Sequence, residues 1–316
     1  MKYPKGSQYK YTKKAYRVRN WRGYEQGLCG RGDVTIWLSA EALKARRAPA
    51  SGKPGGQRVY ANIAIETALT VRLVYHLALR QTEGFLRSLA LQLELDIPIP
   101  DHTTLSRRAK TLRKIRFAPA ASSRPIHILI DSTGLKIHVG NLRTPPKKRD
   151  WRKLHVAVNS KSGRVVASEL TSKAARDCAR VPALVGQIES PLASVSADGA
   201  YDTESVYRAI AAHGAGRPAR IVIPPKRDAR LSSDPVLRER NRHIRSVEKF
   251  GRREWQRKSG YTKRSMVENV IHRYKAIIGT GMRSRILACQ RAETKIGWKI
   301  LNTMTELGMP QSYRVR

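Results

Sequence analysis

The sequence predicts a mixed-sheet α/β domain preceded by a mainly helical, strongly basic region. Three observations carry that prediction. Between positions 126 and 170 three short apolar, β-branched runs follow one another. Beyond them the apolar periodicity alternates between helix and strand and closes on a long amphipathic helix near the C-terminus. Ahead of them, from 59 to about 114, apolar positions recur at helical spacing among lysines and arginines.

Residues 1–58 read as a basic arm and flanking segment. Residues 1–60 hold 14 basic and 3 acidic side chains, and 1–19, rich in Lys and Tyr, are expected to order only on a polyanion. Residues 59–120 read as a helical region. A first helix is expected over 59–80, and Thr82 can cap a second that runs to about Leu93. The Pro98 and Pro100 segment must then break it. Asp101 is a good N-cap for a third helix, in which Leu105, Ala109 and Leu112 face inward while Arg107, Arg108, Lys110, Arg113 and Lys114 face outward. The order is helix-turn-helix-like, with the third helix as groove reader, although the connection is longer than a tight turn. The alternative is a basic helix that docks on the next domain and touches only phosphates.

Residues 121–316 supply the sheet. Strands are expected at 126–139, 153–158 and 164–170, the last two joined by a hairpin connection around Gly163. A helix at 174–188, a strand running into Asp198, a helix at 204–212 and a strand at 220–223 follow. The stretch 226–258 reads as a basic, helical insertion anchored by Phe250 and Trp255; Trp255 could alternatively stack on an unpaired base. Between the first two strands, Lys147, Lys148, Arg149 and Arg152 sit in a Pro-containing loop able to hold DNA.

The chemistry sits at three acids. Asp131 follows the apolar run 126–130, Asp198 follows the strand ending at Ala197, and Glu268 lies on the last amphipathic helix, 67 and then 70 positions further on. No local interaction links them. On that helix Tyr261, Arg264, Glu268 and Lys275 project within about 60° of one another, opposite Met266, Val267, Val270, Tyr274, Ile277 and Ile278. The plain reading is a solvated face with an Arg264–Glu268 pair. Converging carboxylates have another use: they are hard ligands for Mg²⁺ or Mn²⁺, and two such ions can activate an attacking oxygen and stabilise a leaving one in phosphodiester displacement.

With these residues in view the chain resembles bacterial insertion-sequence transposases of the DDE type. The family's Y-x2-R-x3-E-x6-K block is matched by Tyr261, Arg264, Glu268 and Lys275. Its D-G-x-[FY]-D block is matched by Asp198, Gly199, Tyr201 and Asp202, and its D-S-T-G-L strand by Asp131 through Leu135. Trp151 to His155, and Asn20 and Trp21 with Arg31 to Asp33, are also similar to this group. The blocks stand in order, and the resemblance spans nearly the whole chain. It implies a ribonuclease-H-like catalytic domain holding two Mg²⁺ through Asp131, Asp198 and Glu268, with Mn²⁺ able to substitute. Tyr261, Arg264 and Lys275 would meet DNA beside the scissile bond. It further implies cleavage and strand transfer at terminal inverted repeats, and a homodimer or larger synaptic assembly in the bacterial cytoplasm, at the nucleoid.

Composition agrees on the partner. With 62 Lys plus Arg against 24 Asp plus Glu, the formal charge is +38, and residues 217–258 alone carry 14 basic and 5 acidic side chains. Double-stranded DNA clamped by several parts of the protein is expected, with strong salt dependence. No apolar run is long enough for a membrane span. Three scattered cysteines, Cys29, Cys178 and Cys289, suit a reducing compartment and offer no zinc spacing. Asp131-Ser132-Thr133-Gly134 only faintly echoes an aspartic protease: one residue is inserted, and no second copy exists. The alternatives kept open are a silent or domesticated transposase that regulates by binding DNA, and a simple nuclease of the same fold.

Overall fold

The computed structural model describes residues 15–38, 47–49, 52, 54–112, 115–137, 151–213 and 218–315. In chain order its elements are β1 (Tyr16–Val18), α1 (Trp21–Gly30), α2 (Val34–Trp37), α3 (Asn62–Val74), α4 (Leu79–Gln92), α5 (His102–Ala109), β2 (Ile126–Ile137), β3 (Trp151–Asn159) and β4 (Val165–Ser172). They continue with α6 (Val181–Val185), β5 (Leu192–Ser196), α7 (Glu204–His213), β6 (Arg220–Val222), α8 (Arg238–Ser259), α9 (Ser265–Ile277), β7 (Gly281–Met282), α10 (Leu287–Leu307) and β8 (Ser312–Arg314).

The main sheet has the strand order β4-β3-β2-β5-β6, with β7 pairing the far end of β2. The hairpins β2/β3 and β3/β4 are antiparallel, whereas β2/β5 and β5/β6 are parallel. This is the mixed, ribonuclease-H-like arrangement. Parallel pairing requires a crossover, and α6 and α7 provide it on one face. There Ile128, Ile130, Ala157, Val195 and Ile221 meet Leu184, Tyr207 and Ile210. The alternate strand positions, Leu129, Leu135, Leu154, Val156 and Val165, enter a second core with α3, α9 and α10.

That second core is continuous with the N-terminal helices. Ile65, Leu69, Leu105 and Leu112 pack in the same cluster as Ile296 and Trp298 of α10. The Lys299 ammonium lies 2.5 Å from Glu66 across the contact. Asn302, buried on α10, ties helix to sheet: its Oδ1 accepts from the Val165 N–H, and its Nδ2 donates to the carbonyls of Val165 and Phe117, all at 2.8 Å.

Several elements differ from the sequence expectation. The helix expected at 174–188 is a 3₁₀ turn at Cys178–Arg180 followed by α6 alone. Pro182 can sit only in a first helical turn, and Lys153 grips the preceding loop through the Ala175 carbonyl at 2.9 Å and the Asp177 carboxylate at 3.1 Å. The helix expected over 59–80 is shorter because His76 takes a positive φ of 55°. Thr82 does not cap α4. It lies inside the helix, its hydroxyl donating to the Ala78 carbonyl at 2.8 Å, while Gln81 accepts from the Ala78 N–H at 2.9 Å. The helical insertion α8 is kinked at Gly251, φ 76°. Its Trp255 is 1% exposed, but Phe250 is 43% exposed and meets the Lys258 ammonium, 3.6 Å from its ring centre. Trp255 donates through Nε1 to His243 Nδ1 at 3.0 Å, and the opposite nitrogen of that ring faces the Ile221 carbonyl at 2.6 Å. The buried, hydrogen-bonded indole is therefore a core residue and not a base-stacking platform.

Candidate active site

Strand register brings the two aspartates together. β2 and β5 run parallel with Leu129 opposite Ser196. Asp131 and Asp198 each stand two residues beyond that pair, so they emerge side by side on one face of the sheet. By alternation it is the face of Leu129 and Leu135, on which α9 packs. Asp131 lies within its strand, as the expected strand over 126–139 requires. β2 continues through it, with Asp131 opposite Val156 of β3, and it is β5 that stops, opening the notch. Asp198 caps the 3₁₀ turn Gly199–Tyr201, one carboxylate oxygen accepting from the Ala200 N–H at 2.9 Å.

Glu268 comes from α9, whose buried Val267, Val270 and Tyr274 seat it on the sheet. The motif block is not one continuous α-helix. Tyr261–Arg264 forms a 3₁₀ turn entered through Gly260 in the left-handed conformation, φ 74°, and α9 begins at Ser265. The stripe nevertheless holds in part. Arg264 lies 5.9 Å from the Tyr261 ring centre, and Tyr261 in turn packs on Trp255 with ring centres 5.4 Å apart. Lys275 is half-buried at the last turn of α9.

Arg264 is the hub. Its guanidinium donates to Asp131 Oδ2 at 2.9 Å and to Glu268 Oε1 at 2.5 Å. Burial pushes the Asp131 carboxyl above its ordinary range. The Ser132 N–H at 2.8 Å and Arg264 pull it down, and neighbouring Asp198 pushes it up again. Among the described residues no three acidic, His or Cys side chains stand close enough to hold a metal ion. Instead one guanidinium bridges Asp131 and Glu268. A cation shared by Asp131 and Glu268 is thus compatible with the local charge, and the donors are hard oxygens that suit a divalent ion.

The second aspartate of the D-G-x-[FY]-D block has a different role. Asp202 is buried, and its carboxylate accepts from Arg240 Nε at 3.0 Å, the Tyr207 hydroxyl at 3.2 Å and the Lys226 N–H at 2.9 Å. It pins the basic helix α8 to the sheet within a few residues of Asp198. Sequence reasoning took Asp202 only as the last residue of that block; its location after an acid-bearing turn offered the one clue. His155 is fully buried on β3, its Nε2 2.9 Å from the Thr171 hydroxyl and its Nδ1 3.5 Å from Asp177. Its burial and these partners make it a structural residue.

The remaining predicted DNA contacts fall apart into groups. Arg107 and Lys110 are exposed around the end of α5, whose N-cap Asp101 accepts from the Thr103 and Thr104 N–H groups at 2.8 and 2.9 Å. Arg108 does not face outward: it donates to the Tyr60 carbonyl at 2.8 Å and to Asn62 Oδ1 at 2.7 Å, bracing α5 against the start of α3. Arg152, on β3, turns to Gln290 of α10 at 3.2 Å. Lys147, Lys148 and Arg149 lie outside the described residues, as do Arg113, Lys114 and 1–14 of the basic arm.

Residues 122–304 match the family model described as a transposase DDE domain, and residues 29–140 match a second model of the same description. Among solved structures, the chain is similar at a TM-score of 0.38 and 10% identity to the piggyBac transposase in a synaptic complex with hairpin DNA, over 92% of this chain and 76% of that one. That likeness is too loose to carry anything about the site.

Proposed function

The chain belongs to the DDE transposase family, and from that premise we propose that Asp131, Asp198 and Glu268 are its catalytic carboxylates, acting on the terminal inverted repeats of an insertion sequence. The protein is a DNA transposase, an enzyme of the polynucleotidyl transferase and endonuclease type. Members of the family use divalent metal ions. No helix among the described residues is long and apolar enough to cross a membrane. The observation that carries the residue assignment is the equal offset of Asp131 and Asp198 from the Leu129/Ser196 pair, with Glu268 joined to Asp131 through one guanidinium.

In this reading the three carboxylates hold two Mg²⁺, which Mn²⁺ can replace. When bound, such ions would supply Lewis-acid activation of an attacking water or DNA 3′-hydroxyl oxygen and charge stabilisation of the leaving oxygen. The chain's own residues do the rest. Asp131 and Asp198 present their oxygens on one face of a rigid sheet, and α9 brings Glu268 to that face. Arg264 releases the carboxylates and turns its guanidinium to a phosphate beside the scissile bond, guided by the Tyr261 ring. Lys275 takes a second phosphate further along α9. Arg107 and Lys110 at the end of α5, with Lys147, Lys148 and Arg149 after β2, extend the contact to the terminal repeat and the target duplex. Two ends are joined in one event, so a homodimer or larger assembly forms the working complex.

The test is a labelled duplex bearing the element's end, incubated with Mg²⁺ and wild-type protein beside Asp131→Asn, Asp198→Asn and Glu268→Gln. Joined products from wild type alone support the triad. Strand transfer that survives in any of the three removes that residue from it. Nicking with no joined product indicates a nuclease. Binding without cleavage, across metals and paired ends, indicates a DNA-binding regulator.

A further inference from the structure

The two ends of the described chain meet in a ribbon that the core does not cover. β1 and β8 pair antiparallel in the register Tyr16/Arg314, Arg17/Tyr313 and Val18/Ser312, and among the described residues no third strand joins them. The pairing is extended by the Arg19 N–H to the Gln311 carbonyl at 2.8 Å and the Val315 N–H to the Ala15 carbonyl at 2.9 Å. The Asn20 side chain clamps its base, donating to the Met309 carbonyl at 3.0 Å and accepting from the Gln311 N–H at 2.7 Å. A two-stranded sheet is marginal in water without a surface to pack on. Here every side chain but the half-buried Val18 is exposed, Tyr16 at 62% and Tyr313 at 42%.

Charge identifies what the ribbon fits. Neither 15–22 nor 309–316 contains an Asp or Glu, while Arg17, Arg19, Arg22, Arg314 and Arg316 fall within them. Opposed residues of an antiparallel pair share a face, as do alternate residues along a strand. Arg17, Arg19 and Tyr313 therefore occupy one face, and Arg19 lies 5.8 Å from the Tyr313 ring centre. Tyr16 and Arg314 occupy the other. A ribbon resting on a flat anionic surface needs cations on one side only. Cations on both sides suit an element set into a groove whose two walls carry phosphates, and the DNA major groove, about 12 Å wide, admits a two-stranded ribbon.

We propose that the β1/β8 ribbon is a DNA-binding surface, seated in the major groove of a duplex with Arg17 and Arg19 directed to one phosphate wall and Arg314 to the other. The choice of DNA as occupant rests on the transposase reading above. The surface itself is separate from the acidic notch and from α5.

The experiment compares the full-length wild type with a triple variant carrying Arg17→Gln, Arg19→Gln and Arg314→Gln. Binding to a fluorescent duplex is read by anisotropy across about 50 to 200 mM salt. Loss of three phosphate contacts should flatten the slope of log affinity on log salt by about 2 to 3 and weaken binding more than tenfold at the low-salt end. Hydrogen exchange on the wild type supplies a reading that does not depend on the variant's folding: duplex should protect the amides of 16–18 and 312–314. A wild type that binds duplex, with unchanged slope in the variant and no protection of the ribbon, overturns the ribbon proposal and leaves the transposase reading standing. Protection that grows with protein concentration in the absence of DNA assigns the ribbon to a second copy of the chain and also overturns it. A wild type that binds no duplex overturns both.

Discussion

Gly297→Ala tests how the fold holds Glu268 in place. A methyl group at position 297 of α10 would lie 2.7 Å from Tyr274 Cε2 and 2.9 Å from its hydroxyl oxygen. Carbon contacts settle at about 3.5 to 4.0 Å, so the ring must retreat by roughly 1 Å. It has nowhere to go, because Tyr274 is 2% exposed and packs on Trp298 with ring centres 4.3 Å apart. Overpacking of this kind costs about 1–3 kcal/mol, offset by about 0.8–1.0 kcal/mol from the better helix propensity of alanine. The net expectation is a loss of about 0–2 kcal/mol and a melting temperature lower by up to a few degrees. Tyr274 shares α9 with Glu268, so the same displacement should move the carboxylate. Misplacement by about 1 Å can cost on the order of 10²-fold in rate. Thermal melting and strand-transfer rate would be measured together, and Tyr274→Leu in the Gly297→Ala background should recover part of both. A Gly297→Ala protein as stable and as active as wild type would refute the account of α9 being wedged by α10.

Three further outcomes follow from the same geometry. Burial pushes His155 down to about 4, with Lys153 and Arg180 adding to the effect and Asp177 opposing it. The unfolded chain therefore takes up a proton near pH 6.5 that the folded one refuses until about pH 4, so stability falls as pH falls through that window, by about 3 kcal/mol in all. Urea midpoints at pH 7 and pH 4.5 should converge in His155→Gln relative to wild type, and equal pH dependence in both would sink the assignment. Arg107 and Arg108, adjacent in sequence, should separate: Arg107→Ala weakens DNA binding with melting unchanged, whereas Arg108→Ala costs about 1–3 kcal/mol through its lost bonds to Tyr60 and Asn62. Parallel effects from the two would contradict their different settings. Arg264→Gln removes the guanidinium that bridges Asp131 and Glu268. Resting Mn²⁺ affinity should rise by about tenfold, ~1.4 kcal/mol, while strand transfer falls, because the phosphate loses its cation; Mn²⁺ titration followed by paramagnetic resonance checks the first half, and unchanged affinity would exclude competition.

The amino-acid order alone determined the features set by short-range chemistry. Apolar β-branched runs marked β2, β3 and β4, an aspartate after a Pro-broken segment marked the start of α5, and the apolar face of Val267, Val270 and Tyr274 marked α9. The three candidate acids stood out because carboxylates on or just after apolar strands and on a polar helix stripe are a sparse pattern, and motif spacing survives whatever the distant contacts are. Tertiary structure decided what spacing cannot encode. That Asp131 and Asp198 face the same way depends on the Leu129/Ser196 register between strands more than sixty residues apart. That Arg264 holds two acids depends on the 3₁₀ turn that starts the motif, and that Asp202 is a buried anchor depends on Arg240 arriving from α8. Arg108, outward on a helical wheel, turns inward because Tyr60 and Asn62 offer acceptors from another helix. The ribbon of Tyr16–Val18 with Ser312–Arg314 joins residues almost three hundred positions apart. Local sequence fixes which groups a segment offers; only the packed chain decides which of them meet, because each such meeting is a long-range contact whose partner the segment does not contain.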